Sequence, residues 1–100
     1  MKHQRLTFVE LTDRMGVYQR RSYVGNNYQV LHYEFGKRFK AYGAPIAYNI
    51  LDRLFFRDDL RTDRYGRTTF NHLKEFCGMT KSQIREYMNA NPNRVFTGGE

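Results

Sequence analysis

Residues 69–88 read Thr69-Phe70-Asn71-His72-Leu73-Lys74-Glu75-Phe76-Cys77-Gly78-Met79-Thr80-Lys81-Ser82-Gln83-Ile84-Arg85-Glu86-Tyr87-Met88 and contain the clearest structural pattern in the chain. In their first half, apolar residues recur at helical spacing and predict a short helix: Phe70, Leu73 and Phe76. Gly78 follows and supplies the positive φ that a tight turn requires. The segment therefore begins as a helix that stops at a glycine turn.

A second helix is predicted directly after this turn. Thr80 is suited to cap its first residues, and Gln83, three residues later, completes a capping box. Ile84 and Met88 are four residues apart and form its inner apolar face. Two helices joined by a short glycine turn are thus predicted over residues 69–88.

The order of residues around the turn resembles the helix-turn-helix unit of DNA-binding proteins. That unit has an apolar residue, a turn glycine, a second apolar residue and a branched apolar residue at the positions of Leu73, Gly78, Met79 and Ile84. Lys74 departs from the pattern, because a small residue, often alanine, usually follows the first apolar position. The close match covers residues 69–88.

A longer but weaker match points to winged-helix domains of phage or plasmid regulators and replication proteins. It requires a first helix over residues 44–56, where apolar residues recur at helical intervals, and a short wing strand over residues 91–96. The resemblance implies a mainly α fold, a small helical domain with a C-terminal helix-turn-helix and a short wing or hairpin.

The N-terminal half predicts further helices. Thr7 and Glu10 have capping-box spacing at the start of a helix that reaches Met15. Residues 17–24 fit either a strand or a second short helix. A helix over residues 27–42 is predicted by a stripe of Tyr28, Leu31, Phe35, Phe39 and Tyr42, with a hairpin over residues 17–35 as the alternative. Gly36 inside that helix predicts a close packing contact.

One domain is expected over residues 1–100 because the chain is short. Within it we distinguish a basic N-terminal half, 1–43, from a helix-turn-helix-like unit, 44–100. Residues 57–68 contain charges of both signs that nearly cancel, and they predict a solvated connector.

The chain has 17 Lys+Arg and 10 Asp+Glu, a formal charge of +7, which favours phosphate polymers as partners. Residues 1–40 contain eight of the basic and three of the acidic residues, so the excess lies outside the helix-turn-helix-like stretch. No apolar run is long enough for a membrane span, and no signal peptide is predicted. The single cysteine, Cys77, is consistent with a reducing compartment, and we expect a cytoplasmic protein without membrane partners.

The resemblance implies that the second helix enters the major groove of duplex DNA with its N-terminal residues near base edges. Gln83 is then suited to adenine and Arg85 to guanine, whereas Lys81, Ser82 and Arg94 suit phosphates. The predicted nucleic-acid-binding residues are Thr80, Lys81, Ser82, Gln83, Arg85, Asn89 and Arg94, together with the N-terminal basic pair Arg20 and Arg21.

This pattern favours a sequence-specific double-stranded DNA-binding protein in transcription regulation or replication initiation. A homodimer is expected because most such proteins bind two half-sites. The first alternative is a small viral or mobile-element protein that binds a host protein. The second is RNA or single-stranded nucleic-acid binding through the Tyr- and Arg-rich residues 17–42.

The sequence predicts neither an enzyme nor a cofactor. A metal site is not expected, because the histidines and the cysteine lack metal-ligand spacing: His3, His32, His72 and Cys77. The aspartates of residues 57–68 each lie near an arginine in sequence, which favours ion pairs over paired catalytic carboxylates.

Overall fold

A computed structural model describes residues 6–97. Its strands are β1 Leu6–Thr7, β2 Tyr18–Gly25, β3 Tyr28–Tyr33, β4 Gly36–Ala41, β5 Ala44–Ile50, β6 Arg53–Arg57 and β7 Val95–Thr97. Its α-helices are α1 Phe8–Arg14, α2 Arg67–Cys77 and α3 Lys81–Ala90, and short 3₁₀ turns occupy Asp58–Arg61 and Pro92–Arg94. The strands form one mixed sheet in the order β1-β7-β6-β5-β4-β3-β2.

The prediction of a mainly α fold is wrong, because residues 18–57 form an antiparallel meander. β3 and β4 replace the helix predicted over 27–42, and β5 and β6 replace the helix predicted over 44–56. For residues 17–24, the strand alternative is the one observed.

Two-residue turns join the five strands of the meander. The residues that flank each turn pair with one another, as Ala41 does with Ala44. In two of the turns both central residues have positive φ: Tyr42 (53°) with Gly43 (82°), and Leu51 (52°) with Asp52 (66°). This conformation matches the right-handed twist of the flanking strands and closes the hairpins tightly.

The last part of the chain leaves the sheet and then returns to it. After β6 it forms α2 and α3, and β7 then pairs parallel to β6 and to β1. The wing predicted over residues 91–96 is therefore wrong. Val95 and Phe96 are buried as part of the central sheet, because each faces one of the two apolar layers.

Helices cover the sheet on both faces. α2 and α3 pack on one face over a cluster that includes Val30, Phe39, Phe56, Leu73 and Ile84. α1 packs on the other face with a smaller cluster formed by Leu11, Met15, Tyr48, Ile50, Phe55 and Phe96. None of the helices in the described part of the chain is long and apolar enough to cross a membrane.

The local helix predictions are confirmed in three places. Thr7 caps α1, where its side chain accepts a hydrogen bond from the backbone N–H of Glu10. Gly78 ends α2 with a φ of 76°. Thr80 and Gln83 form the predicted capping box, in which the Thr80 N–H donates to the Gln83 Oε1 at 2.9 Å.

The segment 57–68 is not simply a solvated connector. Its 3₁₀ turn buries Leu60 fully. The Asp59 carboxylate lies 3.1 Å from the Arg57 Nε, and both side chains are largely buried. The boundary drawn at residue 43 falls within the β4–β5 hairpin, so a single sheet spans both halves of the chain.

Candidate nucleic-acid interface

Three neighbouring strands carry positive charges and no negative ones. β2, β3 and β4 contain no aspartate or glutamate and five basic residues: Arg20, Arg21, Lys37, Arg38 and Lys40. Side chains alternate between the two faces of a sheet, so the strands divide these cations into two groups. Arg20 and Lys37 lie on the α2 side, and the other three lie on the opposite side.

The second group lies on a surface that we call the open sheet face, made of Tyr18, Arg21, Tyr23, Gln29, Leu31, Tyr33, Arg38 and Lys40. The strand register aligns these residues in rows across the sheet. Arg21 pairs with Leu31, which pairs with Arg38. Tyr23 pairs with Gln29, which pairs with Lys40. Each row therefore ends in a cation on β4, and β4 lies two strands, or about 10 Å, from β2.

Aromatic rings lie beside these cations. Tyr23 is 65% exposed, and the Arg21 guanidinium carbon lies 5.3 Å from the centre of its ring. Tyr18 is 47% exposed and meets Tyr33 edge to face, with 5.5 Å between ring centres. Exposed tyrosines of this size on a sheet surface are available for stacking against planar groups.

The cations of this face are close enough to influence one another. Burial lowers the pKa of the Lys40 ammonium, and the charges of Arg38 and Arg21 lower it further. An anion bound between these side chains relieves their repulsion, because it provides the opposite charge that the face itself lacks.

Thr12 of α1 marks one border of the open sheet face. Arg38 donates a hydrogen bond from Nη1 to the Thr12 Oγ1 at 3.2 Å. The Thr12 hydroxyl also lies 2.9 Å from the hydroxyl of the fully buried Tyr48. This network holds the guanidinium of Arg38 at the border through one of its nitrogens, while Tyr18, Arg21 and Tyr23 of β2 are exposed.

The predicted recognition helix is α3, but two of its predicted base-reading residues make contacts within the protein. The Gln83 side chain accepts the capping hydrogen bond of Thr80. Arg85 donates from Nε to the Leu60 carbonyl oxygen at 3.2 Å and from Nη2 to the Thr62 carbonyl oxygen at 2.8 Å. The structure thus places Arg85 as a link between α3 and the segment after β6.

The remaining predicted residues are scattered. Lys81, Ser82 and Asn89 are exposed on α3, and the Lys81 ammonium lies 5.3 Å from the centre of the Phe70 ring. Arg94 lies over Phe55, with 5.3 Å from its guanidinium carbon to the ring centre. These residues do not form a dense cationic surface, since Lys81 is the only exposed Lys or Arg of α3.

Arg20 and Arg21 lie on opposite faces of β2, because neighbouring residues of a strand point to opposite sides. Arg20 donates to the Ser22 hydroxyl at 3.1 Å, on the α2 side. The predicted set lacked Tyr18, Tyr23, Arg38 and Lys40, although the alternative of a Tyr- and Arg-rich surface over residues 17–42 included all of them. The excess of basic residues over residues 1–40 is the sequence pattern that indicates this surface.

Truncation of Arg85 tests whether it acts within the fold. We expect Arg85→Ala to lower the free energy of unfolding by about 1–2 kcal/mol, because two carbonyl oxygens lose a charged donor. Lys81→Ala, on the exposed surface of the same helix, should change it by less than about 0.5 kcal/mol. Urea denaturation of both variants measures the difference, and equal stabilities would contradict the assignment.

No protein-family model matches this chain, and no similar protein is found among curated sequences or solved structures. Residues 6–97 contain no cluster of three or more His, Cys, Asp or Glu side chains that could hold a metal ion. The functional interpretation therefore rests on the geometry of the described residues.

Proposed function

We propose that this protein binds single-stranded nucleic acid through the open sheet face. The observation that supports the proposal is the combination of Arg21, Arg38 and Lys40 with two exposed tyrosines, Tyr18 and Tyr23, on one face of three strands without acidic residues. Proteins that bind single strands combine a cationic surface with aromatic platforms in this way.

In this proposal the two kinds of side chain have separate roles. The cations bind phosphates and contribute most of the affinity, with a strong dependence on salt. Tyr23 and Tyr18 stack on unpaired bases, each with a contribution of about 1–3 kcal/mol. Bases in a duplex are already stacked and cannot lie flat on these rings, so the surface favours single strands over duplexes.

Duplex DNA binding through α3 is the second candidate function. The observation in its favour is the local geometry of α2, the positive-φ turn at Gly78 and the capped start of α3, which correspond to the predicted helix-turn-helix. The observation against it is that the side chains of Gln83 and Arg85, which are predicted to read bases, make hydrogen bonds within the protein. The two candidates differ in the nucleic acid that they prefer.

Binding assays over a range of salt concentrations distinguish the candidates. Fluorescence anisotropy is measured with a random-sequence DNA strand, the corresponding RNA and the matching DNA duplex. We expect tighter binding to the single strands, with a slope of log K against log salt of about −2 for three phosphate contacts. Tighter binding to the duplex would contradict the proposal. Capture of a stoichiometric protein partner, with no salt-dependent binding of any strand, would support the protein-interaction alternative instead.

A further inference from the structure

A cavity of about 220 Å³ lies on the other face of the same strands, between β2–β4 and α2. It is separate from the open sheet face, because its lining residues point to the α2 side of the sheet. Its lining includes Ser22, His32, Lys37, Phe39, Glu75 and Phe76.

The floor and one wall of the cavity are apolar. Val30 and Phe39 belong to the buried core beneath α2, and Phe76 packs against them from the helix. The rings of Phe39 and Phe76 lie 5.6 Å apart at an angle of 50°. Aromatic and aliphatic walls of this kind accommodate a planar apolar group.

Positive and polar groups lie next to this apolar wall, at the row of the sheet in which His32 pairs with Arg20 on β2 and with Lys37 on β4. The Lys37 ammonium lies 5.5 Å from the centre of the Phe76 ring. The Ser22 hydroxyl is 3.4 Å from the His32 Nε2 and accepts a hydrogen bond from Arg20 at 3.1 Å. These donors surround one end of the cavity and are suited to an anionic group.

Two further titratable groups line the rim. Among the lining residues the charges of Glu75 and Lys37 cancel, and Arg20, which is not in the lining but donates to the Ser22 hydroxyl, adds one positive charge beside the cavity. His72 packs against the ring of Tyr28, with 4.5 Å between ring centres. Burial lowers the pKa of His32, and the charges of Arg20 and Lys37 lower it further. The site thus has a positive balance that favours an anion.

We propose that this cavity binds a small molecule with one aromatic ring and one carboxylate or phosphate group. The ring lies against Phe39 and Phe76, and the anionic group meets Lys37, with the Ser22 and His32 side chains beside it. A cavity of about 150 Å³ is sufficient for benzene, so about 220 Å³ leaves room for one charged substituent. This binding is independent of the proposed nucleic-acid surface.

Ligand titrations followed by NMR test the inference on the whole chain. Benzoate and phenyl phosphate distinguish a carboxylate from a phosphate, benzamide is the neutral isostere of benzoate, and inorganic phosphate lacks the ring. We expect saturable shifts at Ser22, His32 and Phe76 with at least one ring anion, and a rise in the pKa of His32 on binding, because the anion stabilises the imidazolium. Equal binding of benzamide or of inorganic phosphate, or no saturable shift, would overturn the proposal.

Matched variants locate the binding. Lys37→Met should weaken the favoured ring anion about tenfold, the usual effect of losing a charge-assisted hydrogen bond. Lys74→Met removes the same charge from the exposed surface of α2 and should leave the affinity unchanged. Unfolding curves of both variants confirm that each is folded. An equal loss of affinity in both, or in neither, would show that the anion does not bind in this cavity.

Discussion

Replacement of Gly36 by alanine should lower the free energy of unfolding by about 3 kcal/mol, a large share of the roughly 5–15 kcal/mol that stabilises a domain. A β-carbon at this position runs into the backbone carbonyl oxygen of Asn49 on the neighbouring strand, and it also crowds the Cα of Ile50. Since both obstacles are backbone atoms in the middle of the sheet, neither can move without breaking the β4–β5 pairing.

Gly43→Ala is the matched control for this substitution. Gly43 lies in the turn that joins the same two strands and has open space around it, but its φ is 82°. Alanine at this position must adopt the left-handed conformation, which should lower the free energy of unfolding by only about 1 kcal/mol. Guanidinium denaturation of both variants measures the difference, and a Gly36→Ala variant as stable as Gly43→Ala would refute the close approach of β4 and β5.

The double variant Arg21→Gln/Lys40→Gln should bind single-stranded nucleic acid roughly 25-fold more weakly at about 0.1 M salt, with a salt slope smaller by about 1.4. Each of the two side chains neutralises one phosphate in our proposal, and each lost contact changes the slope for a single strand by about 0.7. Anisotropy titrations at several salt concentrations measure both quantities.

The matched control lies on the same strands. Arg20→Gln/Lys37→Gln removes the same net charge, but from the opposite face, where the Arg20 and Lys37 side chains lie beside the α2 cavity. We expect a much smaller change in its affinity for single strands. If both double variants lose affinity equally, the protein binds through its overall charge rather than through one face.

Short-range patterns predicted the helices correctly where neighbouring residues decide the structure. The cap of α1 by Thr7, the turn at Gly78 and the capping box of Thr80 with Gln83 each involve residues within three positions of one another. These caps and turns depend only on neighbouring residues and not on the rest of the fold, so they can be predicted from the sequence alone.

The sequence predicts helices in place of the meander because two of its strands lack clean alternation between apolar and polar residues. In β3, the adjacent residues Val30 and Leu31 are both buried: Val30 faces the α2 cluster, and Leu31 lies between Arg21 and Arg38 in its row of the open sheet face. In β5, a register shift places Ile46 and Ala47 in the same cluster on the α2 side. The resulting steps of three and four residues imitate a helical stripe.

The residues at the turns of the meander are poor predictors of its hairpins. Leu51 and Asp52 both adopt positive φ without a glycine or an asparagine, so this hairpin has no turn pattern in the sequence. The close packing predicted at Gly36 is present, but it is a contact between strands rather than between helices. Only two of the four turns contain asparagine or glycine, Asn26–Asn27 and Tyr42–Gly43, so the regular turn spacing that is typical of antiparallel sheets is incomplete in the sequence.

The candidate site was only partly predictable. The excess charge of residues 1–40 pointed to this region, and Arg21 was among the predicted residues. Its grouping with Arg38 and Lys40 depends on the register of three strands, because these residues are far apart along the chain. The residue type of Arg85 predicts a DNA contact, whereas the hydrogen bonds that it makes depend on where the segment after β6 lies.

NMR mapping of the bound oligonucleotide tests the central claim most directly. An isotope-labelled protein is titrated with a short single strand, and the change in each backbone amide resonance is recorded. We predict that the largest changes occur on the open sheet face, at Arg21, Tyr23 and Lys40, while residues 81–90 of α3 change little. Changes confined to α3, with the open sheet face unperturbed, would contradict the account.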